Sequence, residues 1–220
     1  KDIHEKKLLI QKMKCQTILY ISLTSKNSFL YLLTQNELLK VSIASFKIID
    51  EYTIEPIQPL NQFTFSYTKN KQQNSFDFSI YKYYICDLND GQFFLTCSHY
   101  FNLIKVYGNK SLVMNIFTES YVTCIRRDLK EPKFYTGHTN GKIIEWEYST
   151  VPIQKGDNIL NVTIKKNMIA HYSSVVLIEI NSRHRLIISY GEEGTIIMRK
   201  QSTFEVMNVY RVINDNIVSD

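Results

Sequence analysis

The residues of this chain best equipped for chemistry are five histidines, four cysteines and two steps of paired charge. His4, His99, His138, His171 and His184 share no metal-ligand spacing with one another or with Cys15, Cys86, Cys97 and Cys124. No GxSxG marks a nucleophile between strand and helix, and neither GxGxxG nor GxxxxGK[ST] offers a loop for phosphate. The sequence therefore predicts no catalytic residue, metal or cofactor. His99 and His138 read as surface turn residues. Glu192-Glu193 falls in a hairpin turn, where solvated charge is the default. Arg126-Arg127, in CIRRDLKEP, has the charge to meet an anionic group, but Asp128 follows directly and opposes it. The plain reading is two arginines closing a strand. The lone tryptophan, Trp146, lies in FYTGHTNGKIIEWEY, flanked by residue types that favour strands.

The elements that hold these residues follow from composition and periodicity. The 220 residues are 44% hydrophobic and 21% charged, ordinary values for a chain that buries a core. With 15 Tyr and 12 Phe among frequent Ile and Val, the surfaces suit a pleated sheet. A net charge of +5 is scattered rather than clustered. It permits weak attraction to anionic membrane surfaces and gives no reason to expect nucleic acid as a partner. Each cysteine sits in or beside an apolar run, which predicts a reduced, intracellular protein with buried thiols. The sequons Asn109-Lys110-Ser111 and Asn161-Val162-Thr163 point weakly the other way. No apolar run reaches membrane-spanning length. The chain opens on Lys1 rather than Met, and the expectation is a piece of a longer protein.

Short apolar runs punctuated by polar residues cover the chain, among them SFLYLL, QFFLTC, LIKVY, KIIEWEY, RLIIS and TIIMR. They are too short for helices and predict an antiparallel all-β protein. NILNVTIKKNMIA (158–170) has a helix's length, yet its β-branched residues favour two short strands, or one strand and a connector. The runs fall into four groups, near 17–47, 80–117, 121–170 and 174–212. The stretch 54–79, broken by Pro56 and Pro59, reads as an insertion or long loop. Thr96-Cys97, Thr136-Gly137 and Ser189-Tyr190 hold one equivalent place in the groups, and Tyr107, Trp146 and Arg199 another.

TGHTNGKIIEWEY resembles the second half of a WD repeat. Thr136-Gly137 stands for the small step, Asn140-Gly141 for the turn, and Trp146-Glu147 for the terminal pair. His171 matches the family's His before a blade's first strand. Ser189 and Gly194 fill the step and the turn of the last group. In that family His, Ser/Thr, turn Asp and Trp form a hydrogen-bonded network. Here Asn140 and Glu193 replace the Asp and Arg199 stands in the Trp position, so the network is expected to be partial or absent. The resemblance implies an all-β WD-repeat β-propeller occupying 1–220, a partial one of about four blades cut from a longer one, with Trp146 packed between blades.

A narrower likeness spans roughly 80–212. FLTCSHYFNLIKVY, YVTCIRR and GEEGTIIMRKQSTFEVMNV resemble segments of the C-terminal WD repeats of BEACH-domain, neurobeachin-like proteins, with Tyr100 and Phe101 replacing a Trp-Asp pair. That likeness implies a non-enzymatic scaffold for other proteins, beside a BEACH domain in the parent chain. It would act in vesicle trafficking and membrane dynamics, in the cytoplasm or peripherally on vesicle or endosomal membranes. Partner contacts are expected from His99, Tyr100, His138, Asn140, Glu192 and Glu193, on turns between second and third strands. Two alternatives remain. One is a phosphoinositide-binding propeller using Arg126 and Arg127, which resemble an FRRG motif with Ile125 and Asp128 at its ends. The other is a WD-repeat subunit of an unrelated complex.

Overall fold

A computed structural model describes residues 18, 20–23, 28–34, 37–54, 83–88, 92–98, 102–108, 111–152, 158–213 and 216–219. Among them the protein is all-β, with no helix, built as four antiparallel sheets of consecutive strands. The first sheet holds β1 (Tyr20–Leu23), β2 (Phe29–Leu33), β3 (Glu37–Ser42) and β4 (Ile48–Thr53). The second holds β5 (Tyr83–Leu88), β6 (Phe93–Ser98), β7 (Leu103–Gly108) and β8 (Ser111–Phe117). The third holds β9 (Val122–Arg127), β10 (Lys133–His138), β11 (Lys142–Pro152) and β12 (Asn158–Ile169). The fourth holds β13 (Val175–Asn181), β14 (Leu186–Gly191), β15 (Thr195–Lys200), β16 (Val206–Ile213) and a fifth strand, β17 (Asn216–Ser219).

Two group limits differ from those read in the sequence. The first sheet runs on through β4, past residue 47, because IIDEYT pairs with β3 despite its acidic residues. The last group gains β17, which folds back on β16. Residues 158–169 form a single strand, neither two short ones nor one with a connector, paired with β11 along its whole length. The proposed insertion at 54–79 lies outside the described residues beyond Ile54.

The first strands β1, β5, β9 and β13 contact one another in series, so the sheets are arranged side by side with their first strands innermost. In the second and third sheets the middle strands β6 and β10 are buried on both faces, so Phe93–Cys97 and Phe134–His138 show no alternation of burial. Outer strands alternate instead, as in the exposed–intermediate pattern of β8. Three hydrophobic clusters fill the three interfaces. Tyr31, Leu38, Tyr52, Phe94 and Tyr107 pack between the first and second sheets. There Phe94 stacks on Tyr107 at 5.1 Å and meets Tyr52 edge-on at 4.6 Å. Phe93, Leu95, Val106, Phe134 and Trp146 pack between the second and third sheets. Cys124, Tyr135, Val175, Ile178 and Ile187 pack between the third and fourth.

The internal repeat is visible in the registers. Leu39, Lys105, Ile144 and Ile197 lie opposite Leu32, Thr96, Thr136 and Ser189, one position in four sheets. Two residues further along, next to Val41, Tyr107, Trp146 and Arg199, the outer strand carries an irregularity in every sheet. The groups are thus the same supersecondary unit four times over.

Candidate functional site

Turns and inter-sheet loops at one rim of the sheets are joined by backbone hydrogen bonds into a continuous belt. Thr118 N donates to Asn102 O at 2.8 Å, and Thr139 N to Tyr121 O at 3.0 Å. Gly141 O then accepts from Ala170 N (2.9 Å) and His171 N (3.1 Å), and Ser174 O from Glu192 N (2.8 Å). Loops entering a sheet therefore alternate with turns between its second and third strands. Lys142 Nζ adds an ion pair to Glu119 at 2.5 Å. Gly141 is required where belt and turn meet. Its φ is +77°, and a Cβ there would lie 1.9 Å from His171 O. Gly137, in β10, lies so close to Cys124 Sγ and Val175 that a Cβ would fall within 2.6 Å and 2.8 Å of them.

Two side-chain networks anchor the belt from below. In the third sheet Trp146 Nε1 donates to Thr136 Oγ1 at 2.9 Å, and that hydroxyl lies 2.8 Å from His138 Nε2. His138 Nδ1 faces the carbonyl of Ser120 at 3.3 Å, which fixes its proton on Nδ1 and leaves Nε2 to accept from Thr136. Burial pushes the imidazole below its usual pKa, in keeping with that neutral form. Trp146 is 4% exposed and stacks on Phe134 at 5.7 Å.

In the fourth sheet His171 Nε2 lies 2.8 Å from Ser189 Oγ, while its Nδ1 bonds to Glu193. Ser173 and Thr195 also donate to the Glu193 carboxylate. Arg199 reaches Phe204 O and Ala170 O, each at 3.2 Å, in the place that Trp146 holds one sheet earlier. The networks are therefore partial, neither complete nor absent.

Ser189, His171 and Glu193 have the connectivity of a hydrolase triad. The resemblance ends at access. Ser189 is 1% exposed in the middle of β14, and the Glu193 side chain is 3% exposed, so no acyl carbon can reach the hydroxyl in this arrangement. The cluster is a clamp between a turn and a loop. Among the described residues no group of His, Cys, Asp and Glu could hold a metal ion.

Several expectations need correction. His138 is not a surface turn residue but a buried strand residue that accepts from Thr136, and Glu193 is not a solvated turn charge. Neither is presented to a partner. Asn140 and Glu192 remain exposed on the belt, with Asn140 Oδ1 accepting from Lys142 N at 3.2 Å. His99 and Tyr100 lie outside the described residues. Arg126 and Arg127, on alternate faces of β9, turn to opposite neighbours. Arg127 Nη1 pairs with Asp87 Oδ2 at 2.8 Å, both largely buried, while Arg126 meets Glu179 at 2.5 Å. An anionic headgroup would have to displace both carboxylates.

What sequence reading missed are the apolar side chains of the belt. Phe117, Ile169 and Tyr172 are 74%, 73% and 84% exposed, and Tyr121 is exposed beside them. Their signal was present: each sits at or just past the end of an outer strand, where a polar loop residue would be the norm.

No family of known proteins matches this chain, and no curated protein does. Among solved structures it is similar to U3-55K, with a TM-score of 0.58 at 11% identity over 89% of this chain. The chain spans about half of that one, 52% of its length. At this identity the likeness concerns the fold alone, and it supports a WD-like, propeller-type arrangement.

Proposed function

We propose that the chain is a non-enzymatic interaction scaffold, part of a WD-repeat propeller whose belt of loops and turns binds other proteins. One observation carries this reading. Phe117 and Ile169 stand exposed at the ends of β8 and β12, and Tyr121 and Tyr172 on the loops that follow, all beside backbone that the belt's hydrogen bonds tie to the neighbouring turns. Apolar and aromatic side chains displayed on a fixed backbone give contact area at little cost in ordering, the pattern expected of binding hot spots. The four sheets would be four blades of a larger ring, and the half-length match to U3-55K is in keeping with that.

The narrower placement beside a BEACH domain, in vesicle trafficking and peripheral membrane dynamics, rests on the sequence resemblance of 80–212 alone. The transcript upstream of Lys1 tests it: a BEACH domain there supports the placement, and any other neighbour removes it. The scaffold reading has its own test. Proximity labelling in cells with the full-length protein should lose a defined set of neighbours when Phe117→Ser, Ile169→Ser and Tyr172→Ser are combined. An unchanged set would overturn the assignment of the belt.

A further inference from the structure

The outer strand of each sheet has one edge turned away from its own sheet, and the four sheets treat that edge differently. In β4 the irregularity falls at Ile49 and the remainder carries Asp50 and Glu51. In β8 it falls at Val113, which divides the strand into two short pieces. In β16 it falls at Met207, and residues 210–213 are covered by β17 of the same chain. In β12 the extra residue is Lys165, which leaves Asn158–Ile164 as seven unbroken residues. That run, NILNVTI, holds no charge, no Pro and no Gly, and it is rich in β-branched residues, the composition that favours pairing at an open edge.

Geometry adds access. β10 ends its pairing with β11 at Lys133 opposite Glu147, so beyond Tyr148 the hairpin of β11 and β12 projects past its sheet. Val151 and Ile159 face each other across this projection and both are exposed. The lysines beside the run are engaged on the faces of the sheet. Lys165 pairs with Glu147 at 3.1 Å, and Lys166 lies over the Phe204 ring and bonds to Ser202 O. The usual blunting of an edge by charge is thus missing between 158 and 164.

We infer that this edge joins two copies of the chain, the run 158–164 of one pairing antiparallel with the same run of the other. The chain itself shows which strand such an edge accepts: β17, Asn-Ile-Val-Ser, uncharged and β-branched, lies antiparallel on β16. The run in β12 has the same chemistry. Paired about Asn161, it sets Ile159 against Thr163, Leu160 against Val162 and Asn158 against Ile164, with an amide facing an amide at the centre and no charges opposed. The two third sheets become one continuous sheet, related by a twofold axis.

Sedimentation equilibrium of the full-length protein over a concentration series tests this. The wild type should dimerise. Asn161→Lys and Asn161→Asp, each placing like charges opposite one another, should each weaken the dimer by about tenfold or more, and an equimolar mixture of the two should restore it. The Asn161 side chain is exposed, so circular dichroism should match the wild type; Thr163→Lys, also exposed, provides a second disrupting variant. A wild type that stays monomeric overturns the inference. So does a dimer indifferent to all three variants, which would place the contact on another surface, and so does a mixture that fails to reassociate.

Discussion

At the scale of single residues, the chain spends its most reactive-looking groups on structure. Burial alone would raise the Glu193 carboxyl, but hydrogen bonds from Ser173, Thr195 and His171 hold it at about 2, against an ordinary 4.5. A depressed folded-state pKa contributes stability that is fully present above pH 4.5 and is lost as pH falls from there through about 2. At neutral pH the contribution is roughly 2–3 kcal/mol. Glu193→Gln should therefore lower the unfolding free energy at pH 7 by about that amount, with the difference from wild type narrowing by pH 3 in urea titrations. A difference independent of pH would mean that the charge of Glu193 contributes little. His138 teaches a related lesson about legibility. Its place two residues after Thr136 puts it on the same face of β10, which period-two reasoning could have shown. A histidine next to a turn instead reads as solvent-exposed, because sequence shows the turn but not that loop 118–121 bonds to it.

At the scale of elements, the turns that join second to third strands carry unequal demands although their sequences look alike. Gly141 and Gly194 both adopt positive φ, +77° and +85°. Around Gly194 a Cβ would meet only Val212 O at 3.7 Å, whereas at Gly141 it would collide with His171 O and Ser173 O. Gly194→Ala should cost only the left-handed backbone term, about 1–2 kcal/mol. Gly141→Ala should cost clearly more and disturb the belt, read as lost amide-exchange protection at Ala170 and His171. Equal costs would show that loop 170–174 yields freely. Strand existence and grouping were legible here because repeated apolar runs and turn residues state them directly, as in QFFLTC and KIIEWEY. The single strand 158–169 was not. Its bulge at Lys165 is set by pairing with β11, a partner that no local pattern reveals.

At the scale of the whole molecule, the question is whether four similar sheets behave as one body or as a stack. In repeat architectures each unit contacts only its neighbours, and opening can proceed unit by unit. Here the interfaces carry specific ties besides apolar packing. Arg127 joins the third sheet to Asp87 in the second. On its other side Ser182 Oγ donates to Asp128 at 2.9 Å, and Gln201 Nε2 to Tyr135 OH at 3.0 Å. The third sheet is thus pinned on both faces, so opening one interface strains the other. Three thiols report on this. Cys86 and Cys97 lie in the cluster between the second and third sheets, and Cys124 in that between the third and fourth. Burial pushes Cys86 up to about 12 and Cys124 to about 11, and raises Cys97 well above its ordinary value, so thiolate is scarce until an interface opens. With Cys15 replaced by Ser, maleimide labelling read by peptide mass spectrometry across a urea series should find all three sites closed in the native state. They should then become reactive with one common dependence on urea, since the pinned third sheet makes both interfaces open together. A Cys124 that labels at lower urea than Cys86 and Cys97 would instead show the fourth sheet detaching alone, and the ties through Asp128 and Gln201 would then be too weak to couple it to the rest.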